Sequence, residues 1–499
     1  MTAQEAPAGA AESPAPPRRR RSVWRWLRWV LLAVVALVLL VVVGVAAYLL
    51  HYNVPSNAAG MAAETVCSTA FMGGRPADAD TLMQQDVLPA SSVLKVVSTS
   101  IDTTNHTVTA KFLGLFPRTA SLITDRGCVL DGPPDPSATP YVAPSPRPAP
   151  WPQGDATAPQ QQWPNGVDAT KLQAVVDAAM QGSGDPTSAN ARGVAVVQDG
   201  KLLIERDGKD IAPNVALHGW SMSKTVSAML AWKRFNQVGL DVNTPVVDAF
   251  PPGKEPSWVG QWKSDERAKI TINDLLHMRA GLDIDESYDP FGSVVQMLYG
   301  ENNMGSWAAD HPADHPAGSY WEYLTAVSNI LSQVVRAQFP NDQAYWQYPK
   351  QALFGPIGAD SAQLATDESG NWVGGAYVWS STRDWAKLGE LMLQDGQWQG
   401  RQVLPKGWWQ LAGTPATPDG DGHGYGAQTW IAWQPKGGWC ANTPGVPKHT
   451  LTMEGHWGQV VAMVPSRNAV IVRMGWTFDE SQFDECRFIA DVVSTLPKQ

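Results

Sequence analysis

Ser221 and Lys224 stand three residues apart in the stretch Leu217-His218-Gly219-Trp220-Ser221-Met222-Ser223-Lys224-Thr225-Val226. A serine hydroxyl is a poor nucleophile at neutral pH unless a base lies within hydrogen-bond reach. On a helix opening at Ser221, Lys224 falls on the same face one turn later, and its long stem can return the amine to the hydroxyl. The amine serves as a base only when neutral, a state that burial and neighbouring positive charge favour. The same spacing also suits a serine that merely caps a helix. The pair therefore takes its meaning from its companions.

Two companions follow in order. Pro316-Ala317-Gly318 marks a turn that delivers Tyr323 just ahead of an apolar helical run, Ile330-Leu331-Ser332-Gln333-Val334-Val335. Later, Gly455-His456-Trp457-Gly458-Gln459 leads into the strand-like Val460-Val461-Ala462-Met463-Val464. Glycine at such a strand edge lets backbone come close to a ligand, as an oxyanion-binding edge requires.

With these three pieces in place, the chain from about Trp163 to Leu496 resembles the class C β-lactamase superfamily. The similarity points to the branch of 6-aminohexanoate-dimer hydrolases and family VIII-type carboxylesterases. Further matching segments are Gly193–Lys201, Ile272–Leu282 and Gly374–Asp384. The resemblance implies an α/β (α+β) fold with a central antiparallel sheet, flanking helices and a helical subdomain. It implies Ser221 as the acylated nucleophile, Lys224 as its proton acceptor and Tyr323 as a proton relay to the leaving group. The oxyanion hole would be formed by the backbone N–H groups of Ser221 and Gln459. Trp220, His456, Trp457 and Gly458 would line the substrate.

The departures narrow the substrate. Relatives that act on β-lactams or peptidoglycan carry Lys-Thr-Gly where this chain has His456-Trp457-Gly458, and an ordinary histidine is mostly neutral at pH 7. Trp457 adds apolar surface that suits a small ester or amide. Tyr323-Leu324-Thr325 also departs from the usual tyrosine motif, although the relay needs only the phenol. The expected activity is thus a carboxylesterase or amidase. A β-lactamase or D-alanyl peptidase of the same fold, and a non-hydrolytic sensor that keeps the pocket, are the alternatives. No metal or organic cofactor is expected. The ligand-type residues of Asp310–His315 sit among prolines, and Asp419–Gly424 begins like a calcium loop whose twelfth position is Trp430 rather than glutamate.

The N-terminal part bears on location. Arg18–Arg21, Arg25 and Arg28 precede Trp29–Leu50, 22 residues without a charge, enough for a helix to cross a bilayer. Arginine on its N-terminal side predicts a cytosolic N-terminus and a single-pass anchor in the cytoplasmic membrane, with the rest periplasmic or extracellular. A cleaved signal peptide with Val45-Ala46-Ala47 as its site is the rival reading. Cys67, Cys128, Cys440 and Cys486 fit an oxidising compartment. Of the three possible connectivities, Cys67–Cys128 and Cys440–Cys486 keep each bridge within one expected domain. The net charge of −10 and the lack of a basic stripe beyond the membrane flank exclude nucleic acid as a partner.

Composition divides the chain further. Residues 1–22 read as a disordered cytosolic tail, 23–50 as the anchor, and 55–131 as a small extracytoplasmic module. That module has a helix-like start around Cys67 and strands from Val93 to Ala120. Residues 132–164 are Pro-rich and read as a linker or strap, and 165–497 as the hydrolase domain. Within the last, a helix over Asp168–Met180, a strand pair around Gly193–Glu205, the Ser221 helix, strands over Val460–Met474 and a closing helix are predicted.

Overall fold

Alternation with a period of two explains why the central strands read as unbroken apolar runs. In β5 (Ala191–Gln198), Val194 and Val196 face one layer of helices while Ala195 and Val197 face the other. A sheet covered on both faces needs no polar side. Each such valine stabilises the fold by about 1.5–3 kcal/mol relative to exposure. The computed structural model describes residues 1–2, 9, 21–417, 424–433 and 437–498. Nearly all of the N-terminal tail and all of Asp419–His423 lie outside the described residues.

Two units are distinguished, Met1–Asn53 and Val54–Gln499. The first is the helix α1 (Arg21–His51), of which Val23–His51, 29 residues, is long and apolar enough to cross a membrane. At 1.5 Å per residue this is about 43 Å, more than the roughly 30 Å of bilayer hydrocarbon.

The second unit opens with α2 (Val54–Cys67), an Ala-rich helix buried almost all round. It therefore lacks the one-sided apolar stripe that would mark its bounds in sequence; the helical run continues through Cys67 to Met72, where a helix-like start to this module was expected. It packs on a four-stranded antiparallel sheet of β1 (Val97–Asp102), β2 (Thr107–Phe112), β3 (Leu115–Ile123) and β4 (Gly127–Leu130). Cys67–Cys128 bonds α2 to β4. Residues 132–164 run along neighbouring elements, with Tyr141 donating to the Asn214 carbonyl and Ala158 N–H to that of Leu202, both at 2.7 Å.

The main sheet has six antiparallel strands. α3 (Ala169–Ala179), capped by Asp168, precedes β5 and its hairpin partner β6 (Lys201–Asp207). The short β7 (Leu217–His218) leads into α4 (Met222–Val238). A helical region follows, containing α5 (Ser293–Gly300) and α6 (Thr325–Ala337). β8 (Gln363–Leu364) and β9 (Val378–Ser380) pair with β7 in a small sheet. After α7 (Thr382–Leu393) come β10 (Trp430–Ile431), β11 (Leu451–Gly455), β12 (Gln459–Val464) and β13 (Ala469–Gly475), and the chain closes with α8 (Glu485–Val493). The order across the main sheet is β10-β11-β12-β13-β5-β6. α3 and α8 cover one face, where Leu172, Val176, Ile489 and Val493 join Ile471; α7 covers the other. The central antiparallel sheet and flanking helices expected from the sequence are present.

Candidate active site

The turn before α4 aims Ser221. Trp220 takes a left-handed conformation, φ 47°, which a bulky residue adopts only when its surroundings hold it there. Here the ring stacks on His218 with 4.1 Å between centroids. Ser221 occupies the N-cap position of α4, yet its side chain makes no capping hydrogen bond. The hydroxyl is left for other work.

Lys224, buried one turn on, supplies that work. Its Nζ lies 2.9 Å from Ser221 Oγ, 2.8 Å from Thr325 Oγ1 and 3.1 Å from the Gly375 carbonyl. Burial pushes its pKa down to about 8, against the pull of Glu286, whose negative charge favours the ammonium. The three partners differ in kind. The Gly375 carbonyl can only accept, and the Thr325 hydroxyl donates its proton to Glu286. Once Lys224 is neutral, two N–H groups serve those two partners and its lone pair faces Ser221. Ser221 Oγ–H is the partner whose bond can reverse direction.

Tyr323 completes the group. Its hydroxyl neighbours that of Ser221, and Lys224 Nζ sits 4.7 Å from its ring centroid. Burial first, then the charge of Glu286, holds its pKa well above the ordinary phenol value, so it stays protonated. The ring stacks on Trp430 at 5.3 Å. Thus Ser221, Lys224 and Tyr323, read from separate segments of sequence, meet at one point.

Gln459 does not join them. Ala432 N–H donates to the Thr450 carbonyl at 3.0 Å, so the polar backbone groups of Thr450 point toward β10. Antiparallel alternation sends those of Thr452, Glu454 and then His456 the same way. Because β10 is only two residues long, this edge is uncovered beyond Thr452. Gln459 instead pairs with Gly455 across the hairpin and is fully buried, with its side chain bonded to Gly475. The residues that line the cleft with Ser221 are Glu454, Gly455, His456, Trp457 and Gly458. Gly455 must be glycine for contact reasons: a Cβ there would lie 2.3 Å from the Gly219 carbonyl oxygen.

His456 stacks on Tyr288 at 4.9 Å, and burial lowers its pKa to about 4, so it is neutral at pH 7. Trp220 lines an adjoining apolar cavity of about 310 Å³ rather than the Ser221 cleft of about 540 Å³; Tyr288, His456 and Trp457 form the wall between them. The Cys440–Cys486 disulfide is formed, and Cys486 reaches the cleft.

Sequence reasoning missed Glu286 and Tyr288. Glu286 accepts from the Thr325 N–H at 2.7 Å, from its hydroxyl, and from Tyr288 at 2.8 Å. These residues lie in a loop without regular structure, and the only hint was Thr325 in the altered tyrosine motif. Among the described residues, no group of three or more His, Cys, Asp or Glu is arranged to hold a metal ion.

Residues 172–492 match the Beta-lactamase family. A curated relative, the 6-aminohexanoate-dimer hydrolase of Paenarthrobacter ureafaciens, is 22% identical over 307 residues, covering 56% of this chain and 71% of its own. Among solved structures, a putative 6-aminohexanoate-dimer hydrolase from Bacillus anthracis superposes with a TM-score of 0.51 at 17% identity, covering 63% of this chain and 81% of its own.

Proposed function

Since the chain belongs to the beta-lactamase family, whose fold and hydrolase relatives it shares, we propose that it is a membrane-anchored, extracytoplasmic serine hydrolase. It cleaves a small ester or amide through an acyl-enzyme on Ser221. The observation that carries this reading is the contact of Lys224 Nζ with Ser221 Oγ at 2.9 Å, with the lysine's two other partners fixed as acceptors.

In the proposed cycle, the substrate carbonyl oxygen lies between the N–H of Ser221 and that of His456, the loop residue whose backbone continues the open edge of β11. Donors of this kind contribute roughly 3–4 kcal/mol each to transition-state stabilisation. Neutral Lys224 takes the Ser221 proton as Oγ attacks the carbonyl carbon. Tyr323, a phenol rather than a phenolate, hands its proton to the leaving group and is reprotonated from Lys224. Water then enters, gives its proton back along the same path and releases the acid. Neutral His456 gives a substrate carboxylate no positive charge, which favours an ester or amide over a β-lactam.

The location is supported by the arginine-flanked apolar helix and by two disulfides, which persist in oxidising compartments.

The test uses the full-length chain in nanodiscs, wild type and Ser221→Ala, treated with a fluorophosphonate probe and a short-chain nitrophenyl ester. Labelling at Ser221, located by mass spectrometry, with turnover that disappears in Ser221→Ala is the expected result. Labelling without turnover would favour a sensor, and the absence of both labelling and turnover would overturn the hydrolase reading.

A further inference from the structure

Arg75 and Arg192 share one carboxylate, Asp86, and all three side chains are buried. Arg75 donates to Asp86 at 2.7 Å and to the Gln85 side chain. Arg192 pairs with Asp86 and donates to the Gln85 carbonyl at 3.2 Å. A guanidinium carries five N–H donors, so these contacts engage fewer than half of each. The Arg192 guanidinium also lies over the Trp476 ring at 4.5 Å, which holds it in place.

The charges in this cluster do not cancel. Burial lowers the pKa of Arg192 to about 10, with Asp86 opposing and the charge of Arg75 adding to the fall. Arg192 thus stays charged at pH 7, and one carboxylate balances only one of the two guanidiniums. A buried charge left over in this way is costly unless something pairs with it.

Both arginines line a cavity of about 270 Å³, together with Gln84, Gln85, Asn190 and Lys209. Among the described residues no Asp or Glu lines it, although the protein as a whole carries a net charge of −10. Its volume falls just under the usual range of small-molecule sites, roughly 300–1,000 Å³, and suits a small anion with part of the group that bears it. The family match does not account for this cavity. Arg75, Gln84 and Gln85 precede the matched residues 172–492, and Asn190, Arg192 and Lys209 lie within them.

Two arginines and Lys209, set against Asp86, leave an excess of two positive charges around the cavity. A phosphate monoester carries about −1.5 to −2 at pH 7, and its oxygens match the guanidinium fork. We propose that this cavity binds a phosphate monoester, held by the buried Arg75 and Arg192 and by the exposed Lys209 at the rim. A soluble phosphate and the headgroup of phosphatidic acid share that chemistry. The cavity has no lining residue in common with the Ser221 cleft, so the proposal stands or falls apart from the hydrolase reading.

Full-length wild type in phosphatidylcholine nanodiscs is titrated calorimetrically with inorganic phosphate, glycerol 3-phosphate and acetate. Both phosphates are expected to bind at least about tenfold more tightly than acetate and to raise the melting temperature as their concentration increases. Gln84→Glu and Lys209→Glu change exposed side chains at the rim and leave the buried arginines in place. Each should weaken phosphate binding by about tenfold, because it sets a like charge beside the anion. Repeating the titration in discs containing phosphatidic acid, with phosphatidylglycerol discs of matched surface charge as the control, separates the two sources. Binding lost only with phosphatidic acid assigns the site to the lipid headgroup, and binding retained in both assigns it to a soluble phosphate. Equal binding of phosphate and acetate, or a preference that survives in both variants, overturns the proposal.

Discussion

Lys224 and Glu286 meet only through the hydroxyl of Thr325, which accepts from the lysine at 2.8 Å and donates to the carboxylate. This arrangement lets Glu286 orient Thr325 and tune Lys224 without capturing the amine that Ser221 needs.

Glu286→Gln should therefore move the pH dependence of kcat/KM. With Lys224 as base, activity rises as pH passes its pKa, about 8 in the native protein. Glu286 holds that value up, so its neutralisation shifts the rising limb to lower pH. A pH–rate profile for the ester checks this; an unmoved limb would mean that the observed ionisation belongs to another group.

Lys224→Met should abolish turnover yet stabilise the fold at pH 7. The folded-state value lies below the ordinary 10.5, so the folded protein binds fewer protons than the unfolded chain between about 8 and 10.5. Its stability rises with pH across that window, and below it the buried ammonium carries the full penalty. Thermal melts should show the variant more stable by roughly 1–3 kcal/mol at pH 7, with the difference shrinking as pH rises from about 8 towards 10.5.

Tyr323→Phe retains the ring that stacks on Trp430 and removes only the hydroxyl. A fall in kcat of about 10²–10⁴, the span typical of a lost proton-transfer group, should accompany an unchanged circular dichroism spectrum. Near-normal turnover would show that the proton takes another route.

Replacing Cys67 and Cys128 together by alanine should lower stability by roughly 2–4 kcal/mol, since the bridge closes a sequence separation of 61 residues. Urea unfolding of the full-length protein measures it, and an unchanged midpoint would indicate that packing of α2 alone secures this region.

On expression in a bacterial host, the protein should stay in the membrane fraction through an alkaline carbonate wash, and protease added to spheroplasts should digest the Val54–Gln499 portion. Protection from the protease would reverse the proposed topology.

The legible parts of the site were those written locally. Ser221 and Lys224 are joined by one helical turn, so spacing alone places them together, and Tyr323 carries its position in a turn-then-helix signature. Gln459 was misjudged because order along the chain does not reveal hairpin register. A single step along β11 decides whether an N–H faces the cleft or the neighbouring strand, and that step favours His456. Glu286 and Glu454 escaped for a different reason. An acidic residue in a loop or strand looks solvent-facing in sequence, and only burial turns it into a determinant of charge. The bounds of α2 were not legible because a helix enclosed on all sides has no polar face to show its period, whereas β5, β12 and β13 announced themselves through apolar β-branched runs.

Cys440 follows Trp439 and Cys486 follows Glu485, two residues of the Ser221 cleft, so the disulfide joins two parts of its wall covalently. Thiol reagents routinely added during purification would cut that link, and kinetics recorded in them would describe a cleft of altered shape and selectivity.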